Sequence, residues 1–262
     1  MTGTMAEDLE LAAGLVRQAG ELAGTMLADG LETRHKTSIS DVVSDADHAA
    51  EELITKQLIT ERPDDGLVGE EGARRAPSAE NAERTWYIDP VDGTYNFLSK
   101  LPIWCSAVGL TDADGLVLGA VYHPVADELW VGGRGVRTTC NGVPVEPLVD
   151  APLAEISIGS YLPPAKLAPD DIGTLRPLLN AISRAATVRV IGSGSIELAS
   201  VSGGRIGASL HGGTLPWDWV PGAALVEAAG GATRVIEHGG QRWHVAGNRL
   251  AVAEISAALQ ES

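Results

Sequence analysis

Apolar residues recur at helical spacing over residues 7–28, where Leu9, Ala12, Ala13, Val16, Ala19, Leu22, Ala23 and Met26 share one face. The same period returns over 47–60 through Ala50, Leu53, Ile54 and Leu58. A short apolar run, Trp86-Tyr87-Ile88, predicts a buried strand ending at Asp89-Pro90, because proline cannot continue a central ladder. Strands are predicted at 103–112, 116–123 and 127–133, with turns at 112–115 and at Asn141-Gly142. Toward the C-terminus, the pattern predicts helices near 171–184, 195–202, 218–229 and 249–260, the third stopped by Gly230-Gly231. Strands at 187–191, 206–210 and 233–236 fall between them. Helices and strands alternate without a strict βαβ repeat, which points to layered α/β with mixed sheets. The polar stretch 76–83 reads as an exposed connection within a domain.

The chain has 262 residues, 44% of them hydrophobic, enough to build a core without staples. Its 31 glycines, with no low-complexity segment, imply many turns between short elements. Cys105 and Cys140 are the only cysteines and form no CxxC pair, so neither a disulfide scaffold nor a structural zinc site is expected. The acidic N-terminal stretch and the absence of any apolar run near about 18 residues lead to the expectation of a cytoplasmic protein. Nineteen basic against 35 acidic residues give a net charge of −16, which disfavours nucleic acid and anionic membrane as partners. Carboxylates can nevertheless bind anions when a divalent cation sits between them.

Familiar templates do not match. There is no Walker A loop, no HExxH and no G-x-S-x-G, and Gly192-Ser193-Gly194 lacks the third glycine of a dinucleotide fingerprint. The six histidines are scattered without ligand spacing. Four acidic segments carry more information: 36–47 with Asp41, Asp45 and Asp47; Gly69-Glu70-Glu71; Asp89-Pro90-Val91-Asp92-Gly93-Thr94; and Trp217-Asp218. In the third, a strand delivers Asp89 to its carboxyl end and Asp92 comes three residues later. Both can face the crevice where ligands of α/β sheets bind, and Gly93-Thr94 opens a helix whose N–H groups suit an anion. Oxygen-only ligands suit Mg²⁺ or Mn²⁺. Taken singly, each segment has an ordinary reading too. Asp92 and Asp218 are then helix caps, Gly69-Glu70-Glu71 an exposed turn, and Asp41, Asp45 and Asp47 a solvated helix start.

Together, Asp89-Pro-Val-Asp-Gly-Thr-Tyr-Asn-Phe97, the upstream Gly69-Glu70-Glu71 and the downstream Trp217-Asp218 resemble the inositol monophosphatase family of lithium-sensitive sugar phosphatases, over roughly residues 7–258. The resemblance implies an αβαβα sandwich acting as one catalytic unit over 1–262, divisible into subdomains 1–140 and 141–262. It implies a phosphoric monoester hydrolase working on inositol 1-phosphate or a similar small polyol phosphate. Glu70, Asp89 and the Val91 carbonyl would hold one Mg²⁺, and Asp89, Asp92 and Asp218 a second, with Glu70 sharing a third. Thr94, paired with Asp47, would orient and deprotonate the attacking water. Gly93 and Thr94 N–H groups would grip the phosphate, and Lys36 would add positive charge. Mn²⁺ as a substitute, Li⁺ as an inhibitor and a homodimer are further implications.

Substrate choice departs from the inositol pattern. Seven residues before Asp218, where inositol-specific relatives carry a glutamate, stands His211. It either hydrogen-bonds a substrate hydroxyl with fewer acceptors than a carboxylate or packs at a strand end. Gly192-Ser193-Gly194, with Glu197 nearby, matches the family's small-residue segment beside the substrate, although a plain turn would look the same. Histidinol phosphate is the main alternative substrate, with fructose 1,6-bisphosphate and adenosine 3′,5′-bisphosphate behind it. A silent metal- or phosphate-binding regulator is the alternative without catalysis.

Overall fold

A computed structural model describes residues 3–30, 33–35, 42–78, 83–168 and 172–261. Helix α1 (Met5–Asp29) is followed by a two-stranded ribbon, β1 (Thr33–His35) with β2 (Val42–Ser44), and helix α2 (Asp45–Glu61). The first large sheet uses β3 (Gly66–Gly69), β4 (Arg74–Arg75), β5 (Thr85–Asp92), β6 (Cys105–Asp112), β7 (Gly115–His123), β8 (Glu128–Gly133), β9 (Val136–Cys140) and β10 (Val143–Pro144). Its order is β10-β9-β8-β7-β6-β5-β3-β4, and the β3–β5 pair alone is parallel. Helix α3 (Thr94–Leu98) leaves the end of β5. The second sheet, β12-β11-β13-β15-β14, is built from β11 (Ser157–Ser160), β12 (Thr187–Arg189), β13 (Ala208–Gly212), β14 (Ala232–His238) and β15 (Gln241–Gly247). Helices α4 (Arg176–Ile182), α5 (Gly194–Ser202), α6 (Pro216–Ala228) and α7 (Arg249–Gln260) complete the chain.

These elements stack in five layers. The apolar stripe of α1, with Ala12, Leu15, Val16 and Ala19 fully buried, packs with α2 on one face of the first sheet. Helices α5 and α6 lie between the two sheets, and α4 and α7 cover the far face of the second around Leu178, Val245, Val252 and Ile255. This is the αβαβα arrangement. Among the described residues, no helix is long and apolar enough to cross a membrane.

The predicted stop at Asp89-Pro90 needs correction. β5 runs through Pro90 to Asp92, and the missing proline N–H is absorbed by an irregularity in the β5–β6 pairing between Asp89 and Asp92. The Pro90 carbonyl instead accepts the Ser106 hydroxyl at 2.6 Å. The helix expected near 171–184 is α-helical only from Arg176, because Pro177 fits the first turn but not an interior position. Asn141 and Gly142 both have positive φ, 51° and 76°, and close the β9–β10 hairpin as a two-residue turn. The exposed-connection reading of 76–83 lies partly outside the described residues, which exclude 79–82.

Helix α6 carries Asp218 in its first turn, so the seat of that helix sets where the carboxylate lies. Pro221 sits inside α6 and packs against the first sheet at Gly109 and Gly119. A Cβ on Gly119 would overlap the Pro221 carbonyl, and one on Gly109 would lie 2.7 Å from Pro221 N. Backbone meets backbone there, so neither side can yield. Gly119→Ala is expected to lower unfolding stability by about 1–3 kcal/mol, the usual cost of overpacking, and to reduce activity by displacing α6. Gly14→Ala, on open helix surface with its nearest neighbour atom at 3.7 Å, should be neutral or stabilising. Urea unfolding of both variants checks the contrast.

Candidate active site

The parallel register of β3 and β5 brings the first two acids together. Gly69 pairs with Ile88, and the Glu70 N–H continues the ladder to the Ile88 carbonyl at 3.1 Å, which sets Glu70 beside Asp89. The Glu70 charge then acts directly on the Asp89 carboxyl. Asp92 lies three residues beyond Asp89, past the irregularity, and Asp218 arrives from the first turn of α6. One carboxylate oxygen from each of Asp89, Asp92 and Asp218 falls within 4.8 Å of the others.

This crowding is electrostatically costly. Burial pushes the Asp89 carboxyl well above its usual range, and the charges of Glu70, Asp92 and Asp218 add to the effect. Burial, then Asp92, lifts Asp218 to about 7. Asp92 is raised by burial as well, but hydrogen-bond donors at the start of α5 offset part of the rise. Its Oδ1 accepts the Gly194 N–H at 3.3 Å and its Oδ2 accepts the Ser195 N–H. The reading of Asp92 as the cap of the helix that follows it is corrected: the N-cap of α3 is Gly93 and that of α5 is Ser193, and Asp92 instead binds the α5 backbone from the facing strand. Asp218 keeps a capping contact with the Leu215 N–H at 3.3 Å while joining the cluster.

Asp89 Oδ1 is buried without a hydrogen-bond partner. An orphaned anionic oxygen amid like charges, in an all-oxygen donor set, fits a hard divalent cation.

Beside the cluster, Asp47 is fully buried at the third position of α2. Its Oδ2 accepts the Ser44 N–H at 2.8 Å and the Ser44 hydroxyl at 2.5 Å. Its Oδ1 faces the Thr94 hydroxyl at 3.1 Å, and that hydroxyl is also 3.0 Å from the Val91 carbonyl. One proton serves only one of these acceptors at a time. Burial raises the Asp47 carboxyl. Asp45, by contrast, is exposed and matches the solvated helix start expected of it.

Gly93 adopts φ +90°, and a Cβ there would come within 3.1 Å of both the Gly192 and Ile103 carbonyls. The Asn96 amide donates to the Ile191 and Ile103 carbonyls at 2.8 and 2.9 Å, fastening the 192–194 loop against the start of α3. A cavity of about 500 Å³ opens there, lined by Asp92, Ser193, Glu197, His211, Asp218 and Trp219, with Gly192 and Gly194 in its wall. His211 Nε2 lies 2.8 Å from Glu197 Oε1, which also accepts the Ser209 hydroxyl. Desolvation alone would lower the His211 pKa, but the Glu197 charge and hydrogen bond, with Asp218 and Asp92, raise it. His211 is thus paired, half-buried, with the buried Glu197 in the cavity wall, beyond either reading open from sequence. Behind Asp92, the buried Cys105 Sγ lies 4.0 Å from Asp92 Oδ2 and 3.8 Å from Ser193 Oγ. Burial and the Asp92 and Asp89 charges push its thiol pKa well up. Lys36 and Asp41 lie outside the described residues.

Sequence reasoning missed Glu51, whose carboxylate binds the turn carrying Glu70. Its signal was its place four residues after Asp47 on the same helix. It also missed Lys166 and Tyr161 at the cavity mouth, which no motif marks.

Solved structures share this five-layer arrangement. The extragenic suppressor protein suhB of Bartonella henselae superposes with a TM-score of 0.85 at 25% identity, over 98% of this chain and 99% of that one. The IMPase of Thermotoga maritima has the same fold, with a TM-score of 0.81 at 24% identity, covering 97% of each chain. The sequence model of the inositol monophosphatase family matches residues 4–261, and the chain belongs to that family of phosphoric monoester hydrolases. Among curated relatives, inositol monophosphatase 1 of Solanum lycopersicum is 30% identical over 253 residues, 95% of this chain and 91% of that protein. An inositol-1-monophosphatase of Rhizobium meliloti is 32% identical over 223 residues, 85% and 82% of the two chains.

The raised carboxyls give a signed prediction for the metal-free protein. The folded state holds protons on Asp89 and Asp218 more tightly than the unfolded chain, where an aspartate titrates near 3.8. That contribution is complete below the unfolded value and is lost as pH rises through about 7 for Asp218. If a divalent cation occupies this cluster, the increase in Tm on adding Mg²⁺, measured against EDTA, should grow from about pH 5 to about pH 8, as the ion replaces departing protons. An increase independent of pH would contradict the crowding.

Proposed function

We propose that the protein is a Mg²⁺-dependent phosphomonoesterase for inositol 1-phosphate or a similar small polyol phosphate. The observation carrying this reading is the cluster of buried Asp89 and Asp92 with half-buried Asp218, with an orphaned Asp89 oxygen, in a chain that belongs to a phosphatase family. Glu70, Asp89, the Val91 carbonyl, Asp92 and Asp218 would hold the cations. Bound there, divalent ions acidify water and offset the charge of the phosphoryl group. Manganese is expected to substitute and lithium to inhibit.

The chain's own residues supply the rest. With the Thr94 proton directed to Asp47 Oδ1, Thr94 Oγ1 turns a lone pair toward the attacking water and accepts its proton. Asp47, a stronger base for being buried, draws the Thr94 proton in turn. When Thr94 donates to the Val91 carbonyl instead, this relay is broken. The Gly93 and Thr94 N–H groups orient the phosphate for in-line attack, and the leaving alcohol lies in the cavity past Ser193 toward His211. Lys36 would add positive charge nearby.

Substrate preference turns on the His211–Glu197 pair. Glu197 Oε1 is already committed to His211 and Ser209, so the cavity presents an imidazole edge where inositol-specific relatives present a carboxylate. This favours broader polyol selectivity and keeps histidinol phosphate as the second substrate to test.

Phosphate release should require Mg²⁺, and Asp92→Asn should lower kcat/KM by at least about 100-fold, more than loss of a supporting group at a metal site. Parent-rate hydrolysis by this variant would overturn the assignment. Across inositol 1-phosphate, histidinol phosphate, fructose 1,6-bisphosphate and adenosine 3′,5′-bisphosphate, His211→Glu should raise the kcat/KM ratio of inositol 1-phosphate to histidinol phosphate. An unchanged ratio would remove His211 from substrate selection.

A further inference from the structure

We infer that Glu51 is a positioning residue for Glu70: it grips the turn that delivers Glu70 to Asp89 and thereby sets the geometry of cation binding. This rests on the reading of Glu70 as a cation ligand. Glu51 stands four residues after Asp47 on α2, so the two carboxylates leave the same helix face about 6 Å apart along the axis. Both are buried, Glu51 at 5% exposure. Asp47 reaches Thr94, and Glu51 reaches the turn after β3.

The two Glu51 oxygens divide the work. Oε2 accepts the Glu71 N–H and Oε1 the Ala73 N–H, each at 2.8 Å. These donors stand one and three residues after Glu70 in the chain. From the other side, the Gly69 N–H bonds the Ala73 carbonyl at 2.8 Å and the Glu70 N–H bonds Ile88. The backbone around Glu70 is thus fixed on both flanks, with Glu51 supplying the side chain of the clamp. A Cβ at Gly69 would overlap the Glu51 carboxylate, so the turn approaches as closely as a glycine permits. Among the described residues, no Lys, Arg or His forms an ion pair with Glu51. Its charge is compensated by backbone dipoles, through bonds stronger than a neutral acceptor would make. Helix α2 therefore acts as one rigid spacer between the Thr94–Asp47 pair and the turn carrying Glu70. A shift of that turn would move Glu70 away from Asp89 without touching Asp89, Asp92 or Asp218.

The test is Mn²⁺ binding to the full chain without substrate, followed by electron paramagnetic resonance, alongside Mg²⁺ titrations of phosphate release. Glu51→Gln keeps the volume but turns an amide N–H toward one of the two donors. It should weaken Mn²⁺ binding and raise the half-activating Mg²⁺ concentration by about 10-fold, as loss of a group supporting a metal ligand does. At saturating Mg²⁺, kcat should return to within about 3-fold of the parent, since Asp47 and Thr94 are undisturbed. Glu51→Asp keeps the charge and shortens the reach; it should also weaken Mn²⁺ binding, whereas parent affinity would reduce Glu51 to a source of charge and overturn the proposal. Glu70→Gln run in parallel separates the two ideas. If it leaves Mn²⁺ affinity unchanged, the ligand reading of Glu70 fails. If it weakens binding while folded Glu51→Gln binds Mn²⁺ like the parent, the positioning role fails.

Discussion

Like charges held at close quarters dominate this molecule. Asp89, Asp92 and Asp218 converge within 4.8 Å in a buried crevice, an arrangement a folded chain avoids unless protons or cations neutralise it. The surrounding framework works against that repulsion. Strand β5 supplies two of the carboxylates, α6 the third, and the first turn of α5 holds Asp92 by two backbone N–H groups. Each acid is delivered by a different kind of constraint: ladder register, a strand irregularity, and a proline-bearing helix seated on two glycines.

The five layers explain how acids far apart in sequence meet. β3 and β5 are the one parallel pair in the first sheet, and parallel pairing places both strand ends on the same side. Glu70 and Asp89 leave from those ends together. Helix α6 lies between the sheets, so the residue at its start reaches the cluster while its body contacts both cores. The cavity falls where the ends of β11 and β13 approach the starts of α5 and α6, and Asp92 brings the first sheet into its wall.

Much of this was legible from the chain. The amphipathic stripes of α1 and α2, the hairpins of 103–133 and the final helix come from periodicity, and the acidic segments were visible as motifs. What periodicity could not reveal has physical causes. β15 is flanked by β13 and β14 and buried along most of its length, so its residues show no alternation. β5 continues through Pro90 because a local irregularity removes the need for that N–H. His211 and Glu197 are 14 residues apart, and only the approach of α5 to β13 makes them a pair. Glu51 belongs to none of the acidic motifs, and the turn it holds is 20 residues or more away in sequence.

The sulfur behind Asp92 bears on which ions the crevice can admit. Thiolates are the form of cysteine that captures soft metals and reacts with oxidants. Cys105 is completely buried, and neighbouring carboxylates oppose its ionisation. It stays a neutral thiol, a small apolar filler in the wall, and the donor set facing the crevice remains all oxygen although sulfur lies within 4.0 Å of one of its acids.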